Sequence, residues 1–328
     1  MRKSILYRNN PLNYVLIVLV AILAAGLRIY YSLYQESAFC NYSFAFGFLT
    51  IENVPILINA ILVSALFLVL AVFINILNNK FTIVEDAFQF PAFIFICFSA
   101  LIVSAENLVP TLLSLFLVLL ALYRILPIFR KNNASLNSLD AGIFIGLASL
   151  FSYYSIVFIA IIISAMIYLK HVRFRELYAL AMGLLAPYFF FFFVVYMFDA
   201  IPKFQEAFLK NISFSSSTTK YSFQNILYSS SIILISSIAF FHNIALSGFK
   251  KILIRRYQSV LIIFIAISIF IILSPFVTHS SIVFLLAPFS LILSQMLIET
   301  KYKFFIYFIW TIFLINLVFV AIYVFTKA

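Results

Sequence analysis

Charge is scarce in this chain: Asp, Glu, Lys and Arg together make up 9% of the 328 residues, against 66% hydrophobic ones. A water-soluble domain of that length cannot cover its surface with so few charges. Histidine numbers three, and His171, His242 and His279 fall in different parts of the chain. That excludes the clustered-histidine iron sites of membrane di-iron oxygenases and desaturases, and any four-histidine iron centre. The six glycines form no phosphate cradle, and neither a P-loop nor an HExxH zinc motif is present. Cys40 and Cys97 are the only cysteines, one in a loop and one in an apolar run, so no disulfide framework exists.

What the chain has in abundance is apolar sequence. Runs of about 20 residues, each able to cross a hydrocarbon layer about 30 Å thick, recur from end to end. The fold class is therefore all-α, a polytopic helical membrane protein forming a single integral membrane domain over 1–328. The short alternating strands of a spanning barrel are not visible. The net charge of +11 does not point to nucleic acid, because the cations sit in short clusters between apolar runs. The basic start MRKSILYRNN resembles a signal peptide, but its apolar run continues to about Tyr34 and further runs follow. It reads as an uncleaved first helix.

The spans expected are 11–33, 54–77, 87–104, 108–128, 139–150, 154–169, 177–198, 225–243, 258–274, 281–298 and 303–325. One stretch decides their sidedness. From Leu139 to Leu169 the single charge is Asp140, and this length is long for one span and short for two. Read as a hairpin, it leaves only Arg28, Lys203, Lys210, Lys220 and Lys327 outside, with 16 of the 21 basic residues facing the cytoplasm. Read as one span, it splits them 11 against 10. The positive-inside bias selects the hairpin, with a cytoplasmic N-terminus and a periplasmic C-terminus in a bacterial inner membrane. SLFSYYS at 149–155 supplies serines and tyrosines where the turn falls. Twelve residues reach only about 18 Å, so the first arm does not cross fully. Gly142 and Gly146 give that arm a GxxxG face for close helix contact.

The pattern GIFIGLASLFSYYSIVFIAIIISAMIYL, then KHVRFRELYALAMGLLAPYFFFFFVVY with Pro187, resembles the GT-C superfamily of membrane glycosyltransferases. THSSIVFLLAPFSLILSQML, with Pro288, is similar to the late proline-bearing span of that family, without its arginine. The chain is also similar, around NPLNY and from Arg124 to Asp140, to an uncharacterised family of bacterial polytopic membrane proteins, which brings no function with it. The GT-C resemblance implies glycosyl transfer from a polyprenyl-phosphate-linked sugar at the outer face of the membrane. It implies acids in the first outer loop and in the outer loop between the third and fourth spans. Glu36 and Glu52 occupy the first and Glu106 the second.

On that reading Glu36 and Glu106 are the catalytic candidates, accepting the proton of the attacking hydroxyl, while a cation or divalent metal steadies the departing phosphate. Arg28, at the outer end of the first span, is the phosphate-binding candidate, and His279 is a second substrate-binding candidate. Each has a plainer reading. The glutamates also fit solvated loop acids, Glu106 also fits the start of a helix, Arg28 also fits an interfacial cation reaching for lipid headgroups, and His279 also fits a structural role. The chain departs from the family in its 20-residue first outer loop. Its only adjacent acidic pair, Glu85-Asp86, lies on the cytoplasmic side. Two other functions stay open: a non-catalytic subunit holding a membrane-protein partner or lipid, and a transporter. Transport expects paired broken helices, and only one broken hairpin is visible. Ser229, Ser230, Ser236 and Ser237 repeat at seven-residue spacing and share a helix face, for packing or for a polar groove. The outer loop 199–224 reads as a polar lid or linker.

Overall fold

The structure, a computed structural model, describes residues 11–33, 39–44, 49–84, 89–102, 108–130, 134–169, 172–212, 223–246, 252–274, 279–300 and 303–327. Twelve α-helices run through them: α1 (Pro11–Leu33), α2 (Ile56–Phe81), α3 (Phe90–Ser99), α4 (Leu108–Ile125), α5 (Ser135–Phe151), α6 (Ile159–Tyr168), α7 (Phe174–Met197), α8 (Ile201–Ile212), α9 (Phe223–Leu246), α10 (Ile252–Leu273), α11 (Ile282–Glu299) and α12 (Lys303–Lys327). Short 3-10 turns occupy Leu126–Arg130, Tyr153–Phe158 and His279–Ser281. Six stretches, on α2, α4, α7, α9, α10 and α11, are long and apolar enough to cross a membrane, and five shorter apolar helical stretches of 10–17 residues accompany them. The all-α expectation holds for the architecture.

The core is built around α11, which is buried from Ile282 to Leu297 and packed by α3, α9, α10 and α4. Aromatic rings fill the space: Phe158 and Phe284 lie 4.7 Å apart, and Phe98 and Phe289 5.0 Å. Pro288 sits inside α11, and the hydroxyls of Ser290 and Ser294 donate to the carbonyls of Ala287 and Leu291 on the same helix. Among apolar neighbours, that local bonding satisfies each hydroxyl without a partner from elsewhere.

The hairpin over 139–169 is present. α5 ends at Phe151, Ser152 turns extended, and the chain resumes as a 3-10 turn and then α6. Its decisive evidence is the direction of α7. A Cβ built on Gly142 would strike the Leu180 carbonyl and, at 2.9 Å, the Leu184 nitrogen; one on Gly146 would meet the Leu184 carbonyl at 2.7 Å and Pro187 at 3.0 Å. Both series ascend, so α5 and α7 run parallel, and the chain must return between them. Gly183 completes the seam from the other side, since its Cβ would collide with the Leu139 carbonyl. The backbones touch because these three positions lack side chains. Just beyond the seam the Ser149 and Tyr188 hydroxyls share a hydrogen bond of 2.5 Å.

Two segments expected as outer loops hold secondary structure. In the first, β1 (Phe39–Phe44) and β2 (Leu49–Pro55) pair antiparallel. Their register skips between Cys40 and Tyr42, so Glu52 and Asn53 of β2 oppose the single Asn41, a bulge that Asn53 completes at φ 60°. The second, expected as a lid or linker over 199–224, holds α8. Its apolar Ile201 and Phe204 against Lys203 and Glu206 make it amphipathic. Phe204 is buried between Phe191 and Phe192, 5.6 and 5.4 Å away, and Asp199, at φ 47°, turns the chain from α7 into α8.

The α5–α7 seam sets a test. Gly183→Ala is expected to lower unfolding stability by about 1–3 kcal/mol through overpacking, whereas Gly26→Ala, whose Cβ meets nothing within 4 Å, is expected to leave it unchanged or slightly raised. Thermal melts of both variants in detergent check this, and equal melting temperatures would refute the close-packed seam.

Candidate functional site

The feature that organises the β-hairpin end of the bundle is a helix that stops early. α3 has ten residues, about 15 Å of rise, half of a hydrocarbon layer. Its end is followed by Leu101 and Ile102, both buried. The Ile96, Phe98 and Ser99 carbonyls each accept one backbone N–H, from Ala100, Leu101 and Ile102, and each keeps a second lone pair. Three side chains add to these bonds. Arg28 of α1 donates through Nη2 to the Ser99 carbonyl at 2.6 Å and through Nε to the Ile102 carbonyl at 3.2 Å. Tyr228 of α9 donates to the Phe98 carbonyl at 2.6 Å, and the Ser99 hydroxyl to the Ile96 carbonyl at 2.9 Å.

Arg28 is 4% exposed. Its guanidinium lies 4.4 Å over the Phe67 ring centroid, and Nη1 points at Ser64 Oγ at 3.5 Å. Among the described residues its polar partners are carbonyl and hydroxyl oxygens rather than carboxylates. A bare buried cation is costly. Here the negative end of the α3 dipole, two carbonyls and an aromatic face offset that cost. The residue expected to reach a lipid phosphate is turned inward in this conformation, with its hydrogen-bonding fork spent on α3.

A second cluster lies where α4 begins. The Thr111 hydroxyl donates to Ser280 Oγ at 3.2 Å and shares a 3.2 Å hydrogen bond with the Tyr154 hydroxyl. All three residues are buried. The arrangement ties the start of α4 to the turn after α5 and to the 3-10 turn that precedes α11. The hairpin β1–β2 comes to the same end: β1 lies against α2, α4 and α5, with Phe44 5.7 Å from Phe151 edge to face. At its base the Tyr42 hydroxyl donates to Asn59 Oδ1 at 2.7 Å, and Asn59 Nδ2 reaches Cys40 Sγ at 3.4 Å. Burial, with the neighbouring Cys40 thiol adding to it, pushes the Tyr42 phenol up to about 12, so it remains a donor at every physiological pH.

Of the residues singled out in the sequence, Glu36 and Glu106 lie outside the described residues. Glu36 precedes β1 by three positions and Glu106 precedes α4 by two. His279 opens the 3-10 turn whose next residue, Ser280, bonds Thr111. Three of the four periodic serines, Ser229, Ser230 and Ser237, donate to carbonyls of their own helix, and Ser236 is fully buried. The residue that matters on that helix is the adjacent Tyr228, which the serine periodicity hid. Tyr154 lay in the SLFSYYS turn that the sequence marked, whereas Thr111 and Asn59 carried no signal beyond being polar near the ends of apolar runs. Among the described residues no three of His, Cys, Asp and Glu converge as metal ligands.

No family model, curated protein or solved structure matches the chain. Its class therefore rests on the fold: by length and composition, the apolar helices are those of a membrane-embedded helical protein.

The α3 cap yields a direct expectation. Arg28→Met removes the side-chain donor of the Ile102 carbonyl, at about 1–3 kcal/mol if it stays dry, and the second donor of the Ser99 carbonyl, which keeps the Ile102 N–H. Tyr228→Phe has a smaller effect at Phe98, which keeps the Leu101 N–H. Because both side chains serve one helix end, a double-mutant cycle by thermal or chemical denaturation in detergent should show non-additive coupling. Full additivity would mean that the two caps act independently.

Proposed function

We propose that this is a GT-C-like protein of the bacterial inner membrane that transfers a sugar from a polyprenyl-phosphate donor at the outer face. In this reading the chain crosses eleven times, counting the 139–169 hairpin as two short arms, with its N-terminus cytoplasmic and its C-terminus periplasmic. The bias of Lys and Arg toward one set of loops supports that orientation. The observation that carries the enzymatic reading is the packing of β1 against α4. It makes neighbours of the elements that follow Glu36 and Glu106, the two acids the reaction calls on. The Thr111–Ser280 bond draws the His279 turn to the same end.

The chemistry assigned to that end is a single displacement. One glutamate accepts the proton of the acceptor hydroxyl, and the acceptor oxygen forms a bond to the anomeric carbon. The bond from that carbon to the phosphate oxygen breaks, and polyprenyl phosphate leaves with the electron pair. His279, or a bound divalent cation, balances the charge of the leaving phosphate. Arg28 serves this scheme indirectly, by holding the end of α3.

The burial of Arg28 also favours a second reading, an integral subunit without catalysis, because the strongest phosphate ligand of the outer end is spent on structure. The broad apolar face of α7, with Phe189, Phe190, Phe192 and Phe193 exposed, then meets lipid or a partner helix.

Reconstituted protein supplied with a radiolabelled polyprenyl-phosphate sugar separates the two. Glu36→Gln and Glu106→Gln are expected to slow transfer about 10²–10⁴-fold, the range of a lost general base, with membrane insertion intact. Transfer at the wild-type rate in both variants overturns the assignments. No turnover by the wild type, together with a stoichiometric co-purifying membrane protein, establishes the subunit reading.

A further inference from the structure

At the end of the bundle away from the β-hairpin, α2 finishes, the 3-10 turn Leu126–Arg130 follows α4, and α10 begins. Aromatic contacts and one hydrogen bond hold them together: Phe81 lies 5.9 Å from Tyr123 and 5.7 Å from Tyr257, whose hydroxyl donates to the Leu126 carbonyl at 3.3 Å. The cations around this junction are provided for unequally. Lys80 Nζ sits 3.8 Å over the Tyr123 ring. Arg124 pairs with Asp140 at 3.5 Å. The Arg256 guanidinium lies 4.8 Å over Phe129, yet its Nη1 is sealed from solvent and has no hydrogen-bond acceptor among the described residues.

A ring face accommodates the charge of a guanidinium but takes none of its in-plane N–H groups. With Nη1 closed off, the partly exposed remainder of the Arg256 side chain and the exposed Arg255 are what an external anion meets. The position compounds the need. Arg255 and Arg256 stand in the first turns of α10, the end at which a helix dipole favours anions. Among the described residues, Asp140 pairs with Arg124, and Glu299 Oε1 accepts from Gln295 Nε2 at 2.8 Å. Lys250 and Lys251 just before α10, with Arg130 at the end of the 3-10 turn, add positive charge in sequence.

We propose that Arg256 and Arg255 bind the phosphate of an anionic lipid headgroup where the start of α10 meets the 3-10 turn after α4. The planar guanidinium matches phosphate oxygens better than an ammonium does. The lipid, rather than a free anion, is the fitting occupant because apolar surface adjoins the charge: Phe129 is 40% exposed and Ile252 61%. One surface receives the acyl chains while the arginines hold the headgroup. The site is independent of any chemistry at the opposite end.

Full-length protein reconstituted in phosphatidylcholine, with spin-labelled phosphatidylglycerol as probe and spin-labelled phosphatidylcholine as control, tests this through the immobilised lipid fraction. The wild type is expected to prefer phosphatidylglycerol. Arg255→Gln, an exposed change, should reduce that preference about fivefold, and Arg255→Gln with Arg256→Gln about 25-fold, at roughly one cation's share each. Arg256→Lys, which keeps the charge and loses the fork, should fall between wild type and Arg256→Gln. Unchanged preference in Arg255→Gln and in the folded double variant overturns the site, and Arg255→Gln alone decides if the double variant does not fold. Displacement of the labelled lipid by millimolar inorganic phosphate overturns the lipid assignment in favour of a soluble anion.

Discussion

The β-hairpin end of this protein depends on how the end of α3 is satisfied. A ten-residue helix ending among buried residues closes with tight backbone turns at Ala100–Ile102, and side-chain donors complete the bonding of its carbonyls, as a membrane domain requires where backbone is broken. Arg28 supplies two hydrogen bonds and Tyr228 one. The consequence is global, because α1 and α9 are far apart in sequence and both are fixed to the same helix end. Phe98, whose carbonyl takes the Tyr228 bond, packs its ring on Phe289 of α11 and Phe313 of α12. One capped terminus thus registers α1, α3, α9, α11 and α12 against one another. The charge of Arg28 is tolerated because it faces the negative end of a helix dipole. A neutral donor of the same shape would lack that electrostatic contribution.

The same economy explains the α5–α7 seam. Between two helices in lipid there is little hydrophobic driving force, so association rests on contact of the backbones themselves. Gly142, Gly146 and Gly183 account for half of the glycines in the chain, and all three stand where a side chain would strike a carbonyl or nitrogen of the facing helix. The parallel course of α5 and α7 then forces the intervening chain to double back. The backbone groups at the break are met by backbone, the Ser155 nitrogen donating to the Ser152 carbonyl, and by the Ser149 hydroxyl, which donates to the Gly146 carbonyl.

Much of this was legible in the sequence where the signal is additive over many residues. Hydropathy located the helices to within a few positions, the asymmetry of Lys and Arg selected the hairpin, and GxxxG marked the seam. What stayed hidden depends on single partners. Nothing near Arg28 says that α3 will stop at Ser99, since the apolar run continues through Leu101 and Ile102 and was read as a span to residue 104. A cation beside a helix that crosses fully faces lipid headgroups, whereas beside one that stops short it becomes a cap. The β-hairpin was missed because its strands are six and seven residues long with a bulge at Glu52–Asn53, too short for alternation to stand out. α8 was missed because an amphipathic helix with a serine-rich sequence after it averages to a polar loop unless its 3.6-residue period is sought.

The two ends of the bundle differ in chemistry, and that difference bears on where function resides. At the hairpin end hydroxyls and an amide, Thr111, Tyr154, Ser280, Tyr42 and Asn59, bond across elements, and the buried Arg28 lies among carbonyls nearby. At the opposite end the exposed Lys80 and Arg124 and the half-buried Arg256 rest on rings or a carboxylate. Between them α11 is buried along its length, and its Ser290 and Ser294 hydroxyls are turned onto their own helix. A translocation route needs polar groups facing a shared space at mid-depth, and the serines that α11 carries there bond within the helix instead.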